Sequence, residues 1–145
     1  MNWKHEAIDK LKQYEGKCTA LENIPLEIRQ QELGMESIRS MDPDSASVGS
    51  SGSSREDMML NNISYREELK ESFSQTKLWV EAMDRALGVL TPEEYLLLER
   101  FFIHPEKKAA DRQAGDLRID IKTVYRRKDE ALRRFTVALY GVTET

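Results

Sequence analysis

Residues 110 to 128 constrain the fold most strongly, because they have the spacing of two helices joined by a tight turn. The residues where a first helix would face its partner are small or apolar: Ala110, Ala114 and Leu117. Ile119 is expected to bury the turn. Asp120 is placed to cap the second helix, since its carboxylate can accept hydrogen bonds from the free N–H groups two or three residues further on. The segment is therefore predicted to form a helix-turn-helix.

The second helix of this segment is predicted to have one buried and one basic face. Its apolar residues recur at helical spacing: Val124, Ala131, Leu132 and Phe135. Residues 118–134 hold seven bases and three acids, whereas residues 1–90 hold eleven bases and sixteen acids. The net charge of −4 therefore does not argue against a nucleic-acid partner.

A solvated surface is the alternative interpretation of these charges, since basic and acidic residues often alternate on exposed helices. The turn, the cap, the small contact residues and the basic second helix nevertheless coincide in one register. Such a unit presents its second helix to the major groove, so the expected partner is double-stranded DNA.

Two longer phrases surround this motif. Val-Leu-Thr-Pro-Glu-Glu-Tyr-Leu-Leu-Leu-Glu-Arg-Phe-Phe ends just before Ile103, and Thr-Val-Tyr-Arg-Arg-Lys-Asp-Glu-Ala-Leu-Arg-Arg-Phe begins at Thr123. On these phrases, residues 87–141 resemble region 4 of sigma-70 family factors. Nearly the whole chain is similar to small sigma-like phage and prophage proteins of the ArpU and RinA kind. The resemblance implies a transcriptional regulator that binds promoter DNA and contacts RNA polymerase.

The expected DNA contacts are Arg118, Lys122, Thr123, Tyr125, Arg126, Arg127 and Arg133. Arg126 and Lys122 are expected to meet bases or phosphates in the major groove. Arg127 and Arg133 are expected to meet phosphates or the protein's own acids. Arg118 departs from the family pattern, because it stands where the turn usually has a glycine.

The remainder of the chain is predicted to be helical on both sides of one polar segment. Apolar residues recur every three or four positions from Trp3 to Leu21, and Pro25 is expected to end that helix. A shorter helix would follow, so that residues 1–40 form an N-terminal helical hairpin or coiled coil. Residues 41–55 are mostly Ser, Gly, Asp and Pro, a composition typical of a flexible linker.

Residues 56–90 are predicted to form a long amphipathic connecting helix. Its apolar seam alternates in steps of four and three: Leu69, Phe73, Thr76, Val80, Met83, Leu87 and Leu90. We expect the seam to pack on the first helix, on a second copy of the chain to give a homo-oligomer, or on both. Thr91 and Pro92 start the C-terminal DNA-binding domain, residues 91–145, and a fragment from Val89 onward is expected to keep its helices.

No sequence feature favours catalysis, a metal or a cofactor. His5, His104 and Cys18 lie far apart in the sequence, and no phosphate-binding or nucleotide-binding glycine motif is present. The chain is therefore expected not to be an enzyme. No apolar run or leader segment predicts a membrane partner, and a single cysteine is typical of a reducing bacterial cytoplasm. The alternatives to an all-α transcriptional regulator are a small terminase-like DNA-packaging protein and a non-enzymatic helical adaptor.

Overall fold

The computed structural model describes residues 1–41 and 54–143, and every regular element in these two ranges is helical. The α-helices are α1 (Trp3–Arg39), α2 (Arg55–Leu87), α3 (Pro92–Leu98), α4 (Ala109–Leu117) and α5 (Ile121–Tyr140). A π-helical turn, Glu99–Ile103, directly follows α3. The predicted all-α class is confirmed. The predicted linker lies outside the described residues from position 42 to position 53.

The predicted end of the first helix at Pro25 is wrong, because α1 continues through that position to Arg39. A proline inside a helix removes one backbone hydrogen bond and crowds the preceding turn. The apolar seam nevertheless continues past it, since Leu21 and Ile28 are partly buried and Met35 is 3% exposed. Packing of an apolar face contributes more to helix stability than the preference of one residue. Residues 3–39 are therefore one long helix and not a hairpin.

The chain divides into two compact units. The first comprises Met1–Cys18 and Leu78–Thr145, and the second comprises Thr19–Lys77. The domain boundary predicted at residue 91 therefore falls inside the first unit. This unit contains the start of α1, the end of α2 and all of α3, α4 and α5.

The core of the first unit joins residues that are distant in the sequence. Its buried members are Ala7, Leu11, Met83, Ala86, Leu87, Leu98, Ile103, Ala131, Leu132 and Phe135. Leu11, Met83 and Phe135 are completely inaccessible to solvent. The part of the predicted seam that lies in α2 after residue 78 is thus covered within the chain. The helix-turn-helix shares one core with both long helices.

Hydrogen bonds fix the pairing of α1 with α2 in the second unit. The Asn62 amide donates to the Gln31 carbonyl oxygen at 2.8 Å, and the Arg66 Nε donates to the Asn62 Oδ1 at 2.8 Å. Tyr65 OH donates to the Glu27 carboxylate at 3.3 Å. Because Asn62 is 7% exposed, its hydrogen bonds offset the cost of burying the amide. Within the two described ranges, no helix has the length and apolar character needed to span a membrane.

Candidate nucleic-acid interface

A three-residue turn joins α4 to α5, as the spacing predicts. Arg118 has φ 54° and ψ 46°, which is the left-handed conformation. Its N–H and that of Ile119 both donate to the Ala114 carbonyl oxygen, the latter at 3.1 Å, so the end of α4 is closed. A non-glycine residue adopts this conformation at a cost of about 1–2 kcal/mol. The turn therefore keeps its geometry although position 118 is arginine and not the usual glycine.

Both predicted helix caps are present. The Asp120 carboxylate accepts a hydrogen bond from the Thr123 N–H at 2.7 Å, and this bond lowers the pKa of Asp120. At the start of α3, the Glu94 N–H donates to Thr91 Oγ1 at 3.2 Å, and the Thr91 N–H donates to the Glu94 carboxylate at 2.9 Å. These bonds satisfy N–H groups that a helix start leaves free, so the first turns of α3 and α5 are well defined.

A small cluster holds α3, α4 and α5 together. It comprises Leu97, Ala110 and Val124, with Phe101, Ala114 and Ile119 packed around them. One predicted contact is wrong: Leu117 is 39% exposed, and Gln113 is instead the inward residue of α4 at 1% exposure. A buried glutamine is tolerated there because the Arg100 guanidinium donates to its Oε1 at 2.8 Å.

Arg100 connects the π-helical turn to α4. Its side chain is 18% exposed, and its Nη2 lies 2.9 Å from the Asp116 carboxylate. Its Nε lies 3.9 Å from Glu106, which also pairs with Arg112 at 3.2 Å. These contacts hold α4 in position, and hence the turn into α5. No spacing rule identifies this network from the sequence, because its partners lie six to sixteen residues after Arg100.

Two arginines of α5 have intramolecular partners. Arg127 forms an ion pair with Glu93 at 2.7 Å. Arg134 forms an ion pair with Glu94 and donates a hydrogen bond to the Val89 carbonyl oxygen at 2.8 Å. Both contacts attach α5 to the region where α3 begins. Arg127 is expected from the sequence to contact either DNA phosphates or an acid of the protein itself. The structure shows the second of these contacts.

Four other cations in this region are exposed: Arg118, Lys122, Arg126 and Arg133. None of them forms an ion pair with an acid in the described part of the chain. In α5, residues 122, 126 and 133 follow one side of the helix at steps of four and seven. Asp129 lies in the same stripe, and its carboxylate is 3.4 Å from Lys128 Nζ. The outward face of α5 is thus defined by three basic residues, Lys122, Arg126 and Arg133, and one acidic residue, Asp129.

The two remaining predicted site residues differ in accessibility. Tyr125 is 46% exposed, and its ring packs against Phe101 with 6.0 Å between ring centroids. Thr123 is partly buried, and its N–H is used by the Asp120 cap. Lys4 is an addition that sequence reasoning missed. It lines a shallow cavity with Arg126, Asp129, Glu130 and Arg133, although more than a hundred residues separate it from them in the sequence.

Two titratable side chains outside this face, His104 and Tyr14, have structural contacts. His104 Nε2 lies 2.8 Å from Glu15 and its Nδ1 lies 3.5 Å from Glu99, and the hydrogen bond to Glu15 raises the pKa of His104. Burial and a hydrogen bond to Asp84 raise the pKa of Tyr14. No cluster of three or more His, Cys, Asp or Glu side chains in the described ranges could hold a metal ion.

Comparison of the chain with family models, with curated proteins and with solved structures finds no match. The resemblance to sigma region 4 therefore stays a prediction that rests on the quoted residues.

Proposed function

We propose that this protein binds double-stranded DNA sequence-specifically through α5 and regulates the transcription of phage or prophage genes. One observation carries the proposal. Four cations of the turn and the outward face of α5 form no salt bridge within residues 1–41 and 54–143: Arg118, Lys122, Arg126 and Arg133. Exposed cations outside salt bridges retain their hydration in the free protein and can exchange it for phosphate oxygens or guanine acceptors.

The dimensions of α5 support insertion into the major groove. The groove is about 12 Å wide, which admits one helix with its side chains. Lys122 and Arg126 lie in the first two turns of α5, the part of a recognition helix that contacts base edges. Arg133 lies about 10 Å further along the axis than Arg126, at a rise of 1.5 Å per residue. In this arrangement Arg133 contacts the phosphate backbone.

The intramolecular ion pairs support the proposal in a second way. Arg127 and Arg134 bind Glu93 and Glu94, so these acids are neutralised close to α5. Asp129 is the exception on the outward stripe. Its carboxylate can accept a hydrogen bond from the exocyclic amine of cytosine, the donor that this groove presents. The face therefore combines donors for guanine and phosphate with one acceptor for cytosine.

The assignment to transcription comes from the resemblance to sigma region 4, which adds RNA polymerase as a second partner in the bacterial cytoplasm. The experiment is selection of bound duplexes from a random pool by the full chain, followed by footprinting on a phage genome that encodes it. We expect protected sites upstream of late genes. Protection beside a packaging start, with a ring of about eight or more subunits in solution, would contradict regulation. Failure to enrich any sequence would contradict specific DNA binding.

Replacing Arg118 with Gly is expected to raise the stability of the protein and to lower its affinity for DNA. Glycine adopts the left-handed turn without the steric cost of a side chain, but it loses more entropy on folding. The free energy of unfolding should therefore rise by up to about 1 kcal/mol. DNA affinity should fall, and the slope of log affinity against log salt should become shallower by about 0.9 for one lost phosphate contact.

Urea unfolding and fluorescence anisotropy at several salt concentrations measure these two effects. The matched control is Lys108→Gly, since Lys108 is also left-handed, with φ 57°, and precedes α4 rather than α5. It should gain stability without changing the salt slope of DNA binding. Equal salt slopes for wild type and Arg118→Gly would remove Arg118 from the proposed interface.

A further inference from the structure

Two large apolar side chains are exposed at the start of α5, on the side of the helix adjacent to its basic face. Ile121 is 43% exposed and Tyr125 is 46% exposed. They are four residues apart, so they lie one above the other on the same side of the helix. Lys122 and Arg126 each follow one of them directly in the sequence. An apolar pair thus borders the two cations closest to the start of α5.

Both apolar side chains have restricted conformations. Ile121 is the first residue after the Asp120 cap, and its β-branched side chain has few rotamers in a helix. The Tyr125 ring meets Phe101 at an angle of 67°, and Lys128 Nζ lies 5.2 Å from its centroid. Side chains that are already ordered lose little entropy on binding. The pair therefore favours a partner that presents apolar groups at fixed positions.

We propose that Ile121 and Tyr125 contact the C5-methyl groups of thymines, so that the preferred DNA site requires thymine at one or two defined positions. This inference rests on the proposed function. The C5-methyl of thymine is the apolar group that base pairs display in the major groove. Cations alone would favour any duplex through its phosphates, whereas an apolar pair among them distinguishes thymine from the other bases.

The helix geometry also sets the spacing of the two thymines. Residues 121 and 125 are separated by about 6 Å along the axis of α5. Successive bases on one strand are about 3.4 Å apart along the DNA axis. The two recognised thymines should therefore lie within about two base-pair steps of each other, on either strand.

Uracil substitution tests the contact without altering the protein. Duplexes selected by the full chain are remade with deoxyuridine in place of thymidine at one position at a time, which removes the methyl and keeps base pairing. Burial of one methyl group is worth about fourfold in affinity. We expect about a fourfold loss at one or two positions within two steps of each other, and no loss at the other thymines.

The variant Ile121→Ala tests whether the loss of affinity on uracil substitution depends on the Ile121 side chain. In Ile121→Ala, affinity for the thymine duplex should fall, and the additional loss on uracil substitution at one of those positions should disappear. Leu78→Ala is the control, since Leu78 is a 68% exposed apolar residue of α2 in the same compact unit. It should keep the full uracil effect at both positions.

The outcomes separate this inference from the proposed function. If the chain selects a duplex and every thymine can be replaced by uracil without loss, the methyl contact is wrong while DNA binding stands. The same follows if Ile121→Ala binds as wild type does, which would instead favour a protein partner for this apolar pair. If no duplex is selected, both the proposed function and this inference fail.

Discussion

A fragment that begins at Val89 should fail to fold, and not keep its helices as the sequence alone predicts, although it contains the complete helix-turn-helix. The fragment lacks five members of the buried core: Ala7, Leu11, Met83, Ala86 and Leu87. Phe135, which is completely buried in the full chain, would lose the side chains of α1 and α2 around it. Truncating one large core side chain costs about 2–5 kcal/mol, and the total stability of a small domain is about 5–15 kcal/mol. Loss of the three large side chains alone, about 6–15 kcal/mol, is as large as that total.

Circular dichroism and urea unfolding of the Val89–Thr145 fragment measure this outcome, and we expect low helicity without a cooperative transition. The control joins residues 1–18 to residues 78–145 through a short Gly/Ser segment, which reconstitutes the first compact unit. Lys17 Nζ lies 5.5 Å from the Trp79 ring centroid, so the ends to be joined are close. This control should unfold cooperatively. A cooperative transition in the short fragment would show that the C-terminal helices form an independent domain.

The double substitution Lys122→Ala with Arg126→Ala should abolish most specific DNA binding without loss of fold. A side chain that reads a base pair in the major groove contributes about 1–3 kcal/mol of discrimination. Two such losses weaken binding to the selected duplex by at least about 30-fold. The melting temperature should stay close to that of wild type, because neither side chain forms an ion pair in the described structure and both are exposed.

Fluorescence anisotropy on the selected duplex, beside thermal unfolding, gives both quantities. The matched control is Lys12→Ala with Lys77→Ala, which removes the same charge from exposed positions of α1 and α2. It should change affinity less than about threefold, since long-range charge effects are screened at physiological salt. Equal losses in the two double variants would show that net charge, and not the α5 face, determines binding.

Local signals in the sequence predicted the elements of the interface well. The Asp120 and Thr91 caps, the three-residue turn and the buried side of α5 each depend on residues within a few positions of one another. Their geometry follows from hydrogen bonding and helical spacing. Two local signals gave wrong predictions. Pro25 does not end α1, because the apolar seam that continues to Met35 outweighs the preference of one residue, and Leu117 is exposed where helical spacing predicts a contact.

The contacts that position the interface could not be predicted, because they join distant residues. Arg100 with Gln113, and Arg127 with Glu93, are separated by 13 and 34 positions. The bounds of the two compact units, which differ from the predicted domain bounds, also depend on contacts between distant residues. The turn at Gly88 and the strong cap at Thr91 mark the end of α2 and the start of α3, but a helix boundary does not determine which helices share a core.

The central claim is that the basic face of α5 lies in the major groove, and protection of the selected duplex from dimethyl sulfate tests it most directly. This reagent methylates guanine N7 in the major groove and adenine N3 in the minor groove. The full chain should protect a short cluster of guanine N7 atoms and leave adenine N3 reactive, and Arg126→Ala should lose protection at one of those guanines. Protection confined to adenine N3, or a guanine pattern unchanged in Arg126→Ala, would contradict the assignment of α5 as the recognition helix.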